Sequence, residues 1–251
     1  MIFPIYVPSK GRPNAKTLQH LKELKCDKYL FIEPQDVDSY LNHFNDIKFI
    51  VLEKNDGGVS YVRQMIKEHA KKSEYKWFWC IDDDVQNFHK TQADGKLKVA
   101  KPQHVLIDAQ EVITSIKNIG VAALNFGQYA FGEGVLKKPY QLNKRCIICT
   151  LNNVEIQSKF NYDMNCKLKE DIDFSLQILT HGYRTMICNQ LAISVPVNST
   201  LKGGCYDEYK RQSNEKAVSD YLVDKWGKDI LTRFIKKNGR YDVKINWSKF
   251  K

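Results

Sequence analysis

The sequence has no hydrophobic run of about 18 residues, and it therefore predicts no membrane-spanning helix. Its first ten residues, MIFPIYVPSK, contain no basic leader and no small-residue cleavage site, so we expect a first β-strand there instead of a signal peptide. Internal repeats, low-complexity tracts and a dividing linker are also missing, which excludes solenoids and favours a single domain.

The cysteines give little support for a disulfide framework or a metal site. There are seven of them, an odd number, and only Cys146 and Cys149 have the CxxC spacing. Both lie in the strand-like segment RCIICTL, in which alternation would point their side chains to opposite faces. A zinc or redox pair is therefore disfavoured, and reduced thiols in a cytoplasm are expected.

Positive charge is concentrated near the end of the chain. The formal net charge is +10, and residues 227–251 carry eight Lys or Arg against two Asp, a net of +6. A polyanionic partner would bind at such a region. A solvated basic tail that only aids solubility is the alternative, and charge alone does not separate the two.

Hydrophobic periodicity predicts an α/β protein, because strand patterns alternate with helical patterns as in chains that build a parallel sheet. In the first half, the strands are expected at residues 3–7, 29–32, 47–52 and 77–81, and the helices at 14–24, 35–44 and 59–72. In the second half, the helices are expected at residues 108–118, 170–180 and 206–226, and the strands at 121–126, 144–152 and 185–191. The polar, lysine-rich segment 91–102 predicts a mobile loop.

Three consecutive carboxylates, Asp82, Asp83 and Asp84, follow the apolar run that ends at Ile81. Ligands of an open parallel sheet bind beyond the carboxyl ends of its strands. Adjacent carboxylates at that edge repel one another unless a hard divalent cation neutralises them, and such a cation keeps positions open for phosphate oxygens. The triplet therefore favours Mg²⁺ or Mn²⁺ beside a leaving diphosphate, with a helix N-cap or a solvated turn as the alternative.

A second acidic cluster, Glu170, Asp171 and Asp173, opens the helical pattern at residues 170–180. Acidic residues in a first turn stabilise the helix dipole, and that is the simpler interpretation. A carboxylate at a helix start beside a metal site can also act as a general base.

As a set, these motifs resemble the GT-A glycosyltransferases, which have a DxD-type triplet after a strand and a later acidic pair that opens a helix. The resemblance narrows to the TET/JBP-associated glycosyltransferases on the segments VPSKGRP (7–13), FIEP (31–34), DGGVSYVRQ (56–64), WCIDDDV (79–85) and EDIDFSLQ (170–177). It implies a GT-A, Rossmann-like fold with a mostly parallel central sheet. It also implies one domain, with a nucleotide-binding half at 1–90, an acceptor-binding half at 91–205 and a helical basic tail at 206–251.

The resemblance implies a role for each residue that matches a family motif. The residues expected to hold the nucleotide sugar are Pro8, Ser9, Lys10, Arg12, Glu33, Gly58, Ser60, Arg63, Asp82 and Asp83. Asp84 is the first choice as ligand of the Mn²⁺ or Mg²⁺ ion, followed by Asp82. Asp171 matches the usual catalytic base, with Glu170 and Asp173 as alternatives. The alternative for Arg63 is an ordinary surface position on a helix.

The segment Lys202-Gly203-Gly204 is a further candidate, because glycines let backbone amides approach a diphosphate and Lys202 can neutralise it. An ordinary flexible turn is the alternative. One departure from many GT-A enzymes is that no histidine follows His181, so a late histidine ligand is missing and Asn198 would be the substitute. Metal dependence is less strongly implied for that reason.

Three residues of the second half, Asn125, Phe126 and Tyr129, could line the acceptor side, although core packing is slightly favoured for them. The favoured activity is a metal-dependent, inverting transfer of a sugar from a nucleotide sugar, with a UDP-sugar as first choice. The acceptor would be a hydroxylated or hydroxymethylated pyrimidine in phage DNA, with the enzyme in the host cytoplasm and with no membrane partner.

Other functions remain open at this point. One is a GT-A transferase that acts on a polysaccharide or a lipid-linked acceptor. Another is a non-catalytic DNA-binding module that retained the fold, although the two acidic clusters disfavour it. A nucleotidyltransferase also fits the acidic end of a strand, but it gives the pair of Glu170 and Asp171 no clear role.

Overall fold

The computed structural model describes residues 1–41, 43, 44, 46–196, 202–206, 208 and 212–250. The strands are β1 (Ile5–Pro8), β2 (Lys28–Ile32), β3 (Lys48–Val51), β4 (Trp77–Ile81), β5 (Asn87–Thr91), β6 (Leu97–Ala100), β7 (Ile119–Phe126), β8 (Tyr140–Leu142), β9 (Cys149–Asn153), β10 (Arg184–Ser194), β11 (Leu231–Ile235) and β12 (Tyr241–Ile245). The α-helices are α1 (Lys16–Lys22), α2 (Val37–Leu41), α3 (Gly58–Lys71), α4 (Pro102–Thr114), α5 (Glu133–Lys137), α6 (Val154–Gln157), α7 (Glu170–Thr180) and α8 (Gln212–Trp226). Short 3-10 helices lie at Pro34–Asp36, Gly127–Tyr129 and Trp247–Phe250.

One large sheet contains the strands in the order β3-β2-β1-β4-β9-β7-β10-β5-β6, and β8 pairs with β10 beside this path. The neighbours from β3 to β4 are parallel, as are β7 and β10. Only β9 and β5 run against the other strands of the path, since each pairs antiparallel with both of its neighbours. The sheet is therefore mostly parallel, and the predicted fold class is confirmed.

The central strands are buried on both faces, as is usual for parallel strands that helices cover. In β4, Trp79 and Ile81 pack in the large apolar cluster on one face, whereas Phe78 and Cys80 pack in a second cluster on the other. The parallel register of β1 with β4 pairs Tyr6 with Cys80. Both strands therefore end at the same edge of the sheet, and this brings the residues that follow Pro8 close to those that follow Ile81.

The C-terminal region forms a small packed unit rather than only a helical tail. Strands β11 and β12 form a separate antiparallel pair, here called the C-terminal hairpin (residues 231–245), with a turn at 236–240. Helix α8 and this hairpin bury a small apolar cluster against helix α7. Within the predicted helix at 206–226, residues 207 and 209–211 lie outside the described part, and helix α8 covers Gln212–Trp226.

Two predictions about local structure were wrong. The segment 91–102 is not a loop, because β6 pairs antiparallel with β5 at the edge of the sheet. Lysines on an edge strand protect it from pairing with other chains, and they also mask the alternation that reveals a strand. The strand expected at 144–152 begins only at Cys149, since Ile148 has a φ of +69° and breaks the extended backbone.

The seven cysteines are free thiols, and Cys146 and Cys149 belong to apolar clusters on opposite faces of the sheet. Strand alternation is not the cause of this placement, since Cys146 lies outside β9. Within the described residues, no helix has the length and apolar character needed to cross a membrane.

Candidate active site

A cavity of about 360 Å³ opens where β1, β2 and β4 end. It brings together most of the residues that the sequence singled out, although they come from distant parts of the chain. These are Pro8, Ser9, Lys10, Arg12, Glu33, Gly58, Ser60, Arg63, Asp82, Asp83, Asp84, Glu170, Asp171 and Gly204. Lys202, Gly203 and Asp173 do not line it.

The three consecutive aspartates have three different environments. Asp83 accepts hydrogen bonds from the Ser9 hydroxyl (2.6 Å) and from Nη1 of Arg12 (2.6 Å). Asp82 accepts two bonds from Nη2 of Arg63, at 2.8 and 3.1 Å. Oδ1 of Asp84, in contrast, is buried without a hydrogen-bond partner among the described residues.

Burial raises the pKa of Asp84 to about 7, and the nearby charges of Asp82 and Asp83 add to this effect. A buried carboxylate oxygen without a partner is costly, and a bound cation is one of the few groups that relieve such a cost. The donor set at this edge of the sheet consists of carboxylate oxygens, which Mg²⁺ and Mn²⁺ prefer. The residues present therefore fit a divalent cation, and Asp84 fits it better than Asp82, whose oxygens already accept bonds from Arg63.

Arg63 connects the two acidic clusters and is not a surface residue. Only 8% of it is exposed, and its Nε donates to Glu170 (2.7 Å) while its Nη2 donates to Asp82. Burial raises the pKa of Glu170 to about 6, although the charge of Arg63 opposes this shift. Arg63, on helix α3, therefore offsets the repulsion between the partly exposed carboxylate of Asp82, which follows β4, and the buried carboxylate of Glu170, which begins helix α7.

Asp171 lies at the cavity wall and is 9% exposed. Both of its oxygens accept bonds from Arg145, Oδ2 from Nε and Oδ1 from Nη2 at 3.0 Å. Such a two-bond pair fixes the orientation of the carboxylate plane. A carboxylate has about four lone-pair sites, so Asp171 can still accept a further hydrogen bond.

The loop after β1 is held by ion pairs. Lys10 pairs with Asp56 and with Glu33, the latter at 3.1 Å. Besides Asp83, Arg12 donates to the carbonyl oxygens of Lys202 (2.8 Å) and Gly203 (2.9 Å). Lys10 and Arg12, two of the cations that were expected to contact a nucleotide sugar, are therefore already paired with carboxylates or carbonyl oxygens.

Gly203 is required by its backbone geometry. Its φ is +84°, and a Cβ atom at this position would lie 2.5 Å from the carbonyl oxygen of Lys10. Only glycine allows this close approach between the segment 202–204 and the loop after β1. The Ser60 hydroxyl donates to the carbonyl of Cys166 (2.6 Å), so this side chain ties the start of α3 to the loop before α7.

Asp173 lies outside the cavity and is 1% exposed. Its carboxylate accepts a bond from the indole N–H of Trp226 (2.8 Å) and pairs with Lys225 (2.8 Å). Asp173 also belongs to a group with Asp163 and Cys166 whose ligand atoms lie within 4.8 Å of one another, as in metal sites. Lys225 lies 2.7 Å from Asp163 as well, so an ammonium group provides the positive charge there.

The residues considered for the acceptor side do not reach the cavity either. The side-chain amide of Asn125 is buried and donates to the carbonyls of Tyr129 (3.3 Å) and Asn189 (3.4 Å), which agrees with a role in packing. His181 is exposed and follows the last turn of α7. Asn198 lies outside the described residues.

Sequence reasoning missed several side chains that line the cavity. Arg145 was assigned to a strand, and Lys236, Arg240 and Asp242 were treated as parts of a helical tail, but the structure brings all of them to the cavity wall. Lys169, at a φ of +62° before helix α7, pairs with Asp242 at 3.2 Å. The positive charge of the tail was the only signal in the sequence that pointed to this region.

A model of the TET-Associated Glycosyltransferase family matches residues 3–204. No curated protein matches the chain. Among solved structures, the chain is similar to TarS 1–349 of S. aureus in complex with UDP, with a TM-score of 0.53 and 15% identity over 89% of this chain and 66% of that one. It is also similar to GalNAc-T7 with UDP, GalNAc and Mn²⁺, with a TM-score of 0.52 and 10% identity over 78% of this chain and 44% of that one.

At these identities, the solved structures bear on the fold alone, and the chain spans less than two thirds of the length of either one. The family model carries more weight, because it covers more than half of the chain and includes both acidic clusters. The arrangement of these clusters around one cavity agrees with the match. The chain thus belongs to the TET-Associated Glycosyltransferase family and has the GT-A fold.

Proposed function

We propose that the protein transfers a sugar from a UDP-sugar to a hydroxylated or hydroxymethylated pyrimidine of phage DNA, with inversion at the anomeric carbon. The observation that carries this proposal is that Asp84 and Asp171 line the same cavity, at the edge where the parallel strands end. A site for a leaving diphosphate and a general base must share one cavity for a single transfer reaction.

The donor would bind between the loop after β1, the start of α3 and Gly204. Backbone N–H groups at the start of a helix attract anions, and Gly58 begins such a helix at the cavity wall. Lys10 and Arg12 would exchange their present carboxylate partners for the phosphates. The similarity to structures that hold UDP supports this donor class.

Asp84 and, more weakly, Asp82 would hold Mn²⁺ or Mg²⁺. When bound, the ion supplies positive charge to the diphosphate as it leaves. The buried, unpartnered Oδ1 of Asp84 supports this assignment.

Asp171 would act as the general base. It would take the proton of the acceptor hydroxyl while the hydroxyl oxygen forms its bond to the anomeric carbon and the bond from that carbon to the diphosphate breaks. Arg145 orients the carboxylate for this step through two hydrogen bonds. Attack on the face opposite the leaving group inverts the anomeric carbon.

A DNA acceptor is supported by the positive charge of the chain and by the position of Asp171. Because Asp171 is recessed in the cavity, the hydroxyl group of a modified pyrimidine would reach it most directly if that nucleotide rotates out of the DNA base stack. Enzymes that modify bases often extrude the target nucleotide, at a cost of a few kcal/mol.

The test is incubation of the protein with UDP-sugars, Mn²⁺ and DNA that contains hydroxymethylated pyrimidines, followed by mass spectrometry of the nucleosides. We expect a mass shift of one sugar on the modified nucleoside. Asp171→Asn should lower the rate by about 10²–10⁴-fold, as expected for loss of a general base, while the protein keeps its thermal shift with UDP. Asp94→Asn, an exposed carboxylate outside the cavity, is the matched control and should not change the rate.

Labelling of a polysaccharide or lipid-linked acceptor, with no shift of any nucleoside, would overturn the DNA acceptor. DNA binding without any donor hydrolysis or transfer, unchanged by Asp84→Asn, would overturn the transferase itself and favour a binding module.

A further inference from the structure

The C-terminal hairpin lies outside the part of the chain that matches the family model, yet it reaches the cavity. The match ends at residue 204, whereas Lys236, Arg240 and Asp242 of the hairpin line the cavity wall. The hairpin therefore adds side chains to the cavity wall that lie outside the family match.

The position of the hairpin relative to Asp171 is fixed by packing. Leu231 and Ile245 of the hairpin are buried in one apolar cluster with Ile172 and Leu176 of helix α7, which begins with Glu170 and Asp171. Lys169, directly before that helix, also donates to the carbonyl of Tyr241 at 3.2 Å. The hairpin and the proposed base therefore belong to one packed unit.

An aromatic side chain lies on the cavity side of the hairpin. Phe234 is the cross-strand partner of Asp242, and directly paired residues of an antiparallel ribbon share a face. Asp242 lines the cavity, so Phe234 lies beside it on the same face, and it is 42% exposed. Lys236 is two residues further along the strand direction and also shares this face.

The hairpin that carries this aromatic side chain also carries exposed cations. The ion pairs of the described hairpin residues involve Arg233, Lys236, Arg240 and Asp242, whereas Lys237 and Lys244 take part in none of them. Both of these lysines are exposed. They can therefore neutralise phosphates without giving up a carboxylate partner.

We propose that the C-terminal hairpin docks duplex DNA, with Lys237 and Lys244 on backbone phosphates and Phe234 as a wedge at the acceptor nucleotide. This inference rests on the proposed function. A two-stranded ribbon fits a groove of DNA, and apolar side chains that insert at a base step favour an unstacked nucleotide. Such a wedge would help the acceptor nucleotide reach the recessed Asp171. The Phe234 ring would fill the space that the extruded base leaves in the duplex.

The same side chains fit an anionic membrane surface less well. Interfacial binding needs a broad apolar face, whereas Val218 and Leu222 of α8 and Leu231, Val243 and Ile245 of the hairpin are buried in their own cluster, and Ile235 is the exposed apolar residue of that hairpin face. An exposed aromatic side chain on a cationic hairpin, paired with the cavity-lining Asp242, is the arrangement of a nucleic-acid wedge.

The test compares the binding of two fluorescent duplexes by anisotropy over a range of salt concentrations. One duplex is fully paired, and the other has a mismatch at the acceptor position and is already partly unstacked. Phe234→Ser should weaken binding of the paired duplex by about 5- to 100-fold, the usual value of a base–aromatic contact, and weaken the mismatched duplex less. The double variant Lys237→Gln/Lys244→Gln should weaken both duplexes equally and reduce the slope of log K against log salt by about 2.

Matched controls are available on β6, far along the sheet from β1. Val99 is 68% exposed and Lys98 is exposed, and neither lines the cavity. Val99→Ser and Lys98→Gln should leave the affinity for both duplexes unchanged. If these controls weaken binding as much as the hairpin variants do, the docking assignment is wrong.

The outcomes separate this inference from the proposed function. Sugar transfer to DNA by a protein whose hairpin variants bind both duplexes normally would overturn the docking role and leave the transferase intact. Hairpin-dependent binding of the duplexes without transfer of any sugar would support docking and count against the proposed reaction. Lysine-dependent binding to phosphatidylglycerol vesicles, with no binding of either duplex, would overturn docking in favour of a membrane surface.

Discussion

At the scale of single residues, the site depends on how buried charges are paired. Arg63 and Glu170 form a buried ion pair, and Arg63 also contacts Asp82, whose side chain is 24% exposed. Removing one partner of a buried charge pair is far more destabilising than removing a surface ion pair, because the remaining charges stay buried without compensation.

We therefore expect Arg63→Met to lower the free energy of unfolding by about 3–5 kcal/mol, the usual cost of breaking a buried pair. Arg63→Lys should cost less, since it keeps the charge but cannot bond both carboxylates in the same way. Urea unfolding at neutral pH measures the change in the free energy of unfolding for both variants. Arg184→Met, which removes an exposed guanidinium, is the control and should change the value by about 0.5 kcal/mol or less. A loss below about 1 kcal/mol for Arg63→Met would contradict the pairing described here.

At the scale of elements, helix α7 links the cavity to the C-terminal unit. Its first turn carries all three acidic residues, of which Glu170 and Asp171 line the cavity and Asp173 contacts helix α8. Lys225 of α8 pairs with both Asp173 and Asp163. The different roles of Asp171 and Asp173 follow from the helical period, because residues two positions apart on a helix point to different sides.

The pairing of Asp163 predicts a pH dependence of stability. Burial raises the pKa of Asp163, but hydrogen bonds from Lys225, Tyr221 and Asn165 outweigh this effect and hold the pKa at about 2, below the ordinary 3.8. Because the folded-state pKa is lowered, the stabilisation is fully present above about pH 4 and is lost as the pH falls toward 2. The shift corresponds to about 2 kcal/mol.

Asp163→Asn should therefore lower the free energy of unfolding at pH 7 by about 2 kcal/mol and flatten its decline between pH 4 and pH 2. Urea unfolding at several pH values measures this. Asp94→Asn provides the comparison at an exposed position. If the free energy of unfolding of Asp163→Asn declines as steeply as that of the wild type between pH 4 and pH 2, Asp163 is not the source of the pH dependence.

At the scale of the whole molecule, the cavity is assembled from segments that are far apart in the chain. The ends of β1 and β4, the start of α3, the loop with Arg145, the start of α7 and the C-terminal hairpin all contribute to its wall. A ligand that binds in this cavity must therefore stabilise the folded chain as a whole, since it contacts only the assembled site.

A thermal-shift screen with UDP, GDP and CMP sugars, with and without Mn²⁺, tests this. A donor present at 100 times its Kd should stabilise the protein by about 2.7 kcal/mol. We expect a UDP-sugar to do so and Mn²⁺ to add a further increment. Asp84→Asn should abolish the Mn²⁺ increment and keep the part due to the nucleotide. A full Mn²⁺ increment in Asp84→Asn would exclude Asp84 as the metal ligand.

The chain itself determined the strand and helix pattern of the first half and the two acidic clusters at a strand end and a helix start. These are local features, because alternation and helical period act over a few residues, and parallel strands necessarily bring their carboxyl ends to one edge. Lysines at an edge strand hid β6, and the left-handed backbone at Ile148 was not encoded in any pattern of apolar residues.

Only the tertiary structure decided which charges meet. Arg63 and Glu170 are separated by 107 positions in the sequence, and Arg12 and Gly203 by 191, so no local pattern predicts either contact. The same holds for the C-terminal hairpin, whose charge was visible in the sequence but whose place at the cavity wall depends on apolar packing against α7. Ion pairs and docked elements are fixed by how the whole chain packs, because their partners come close only once the core has formed.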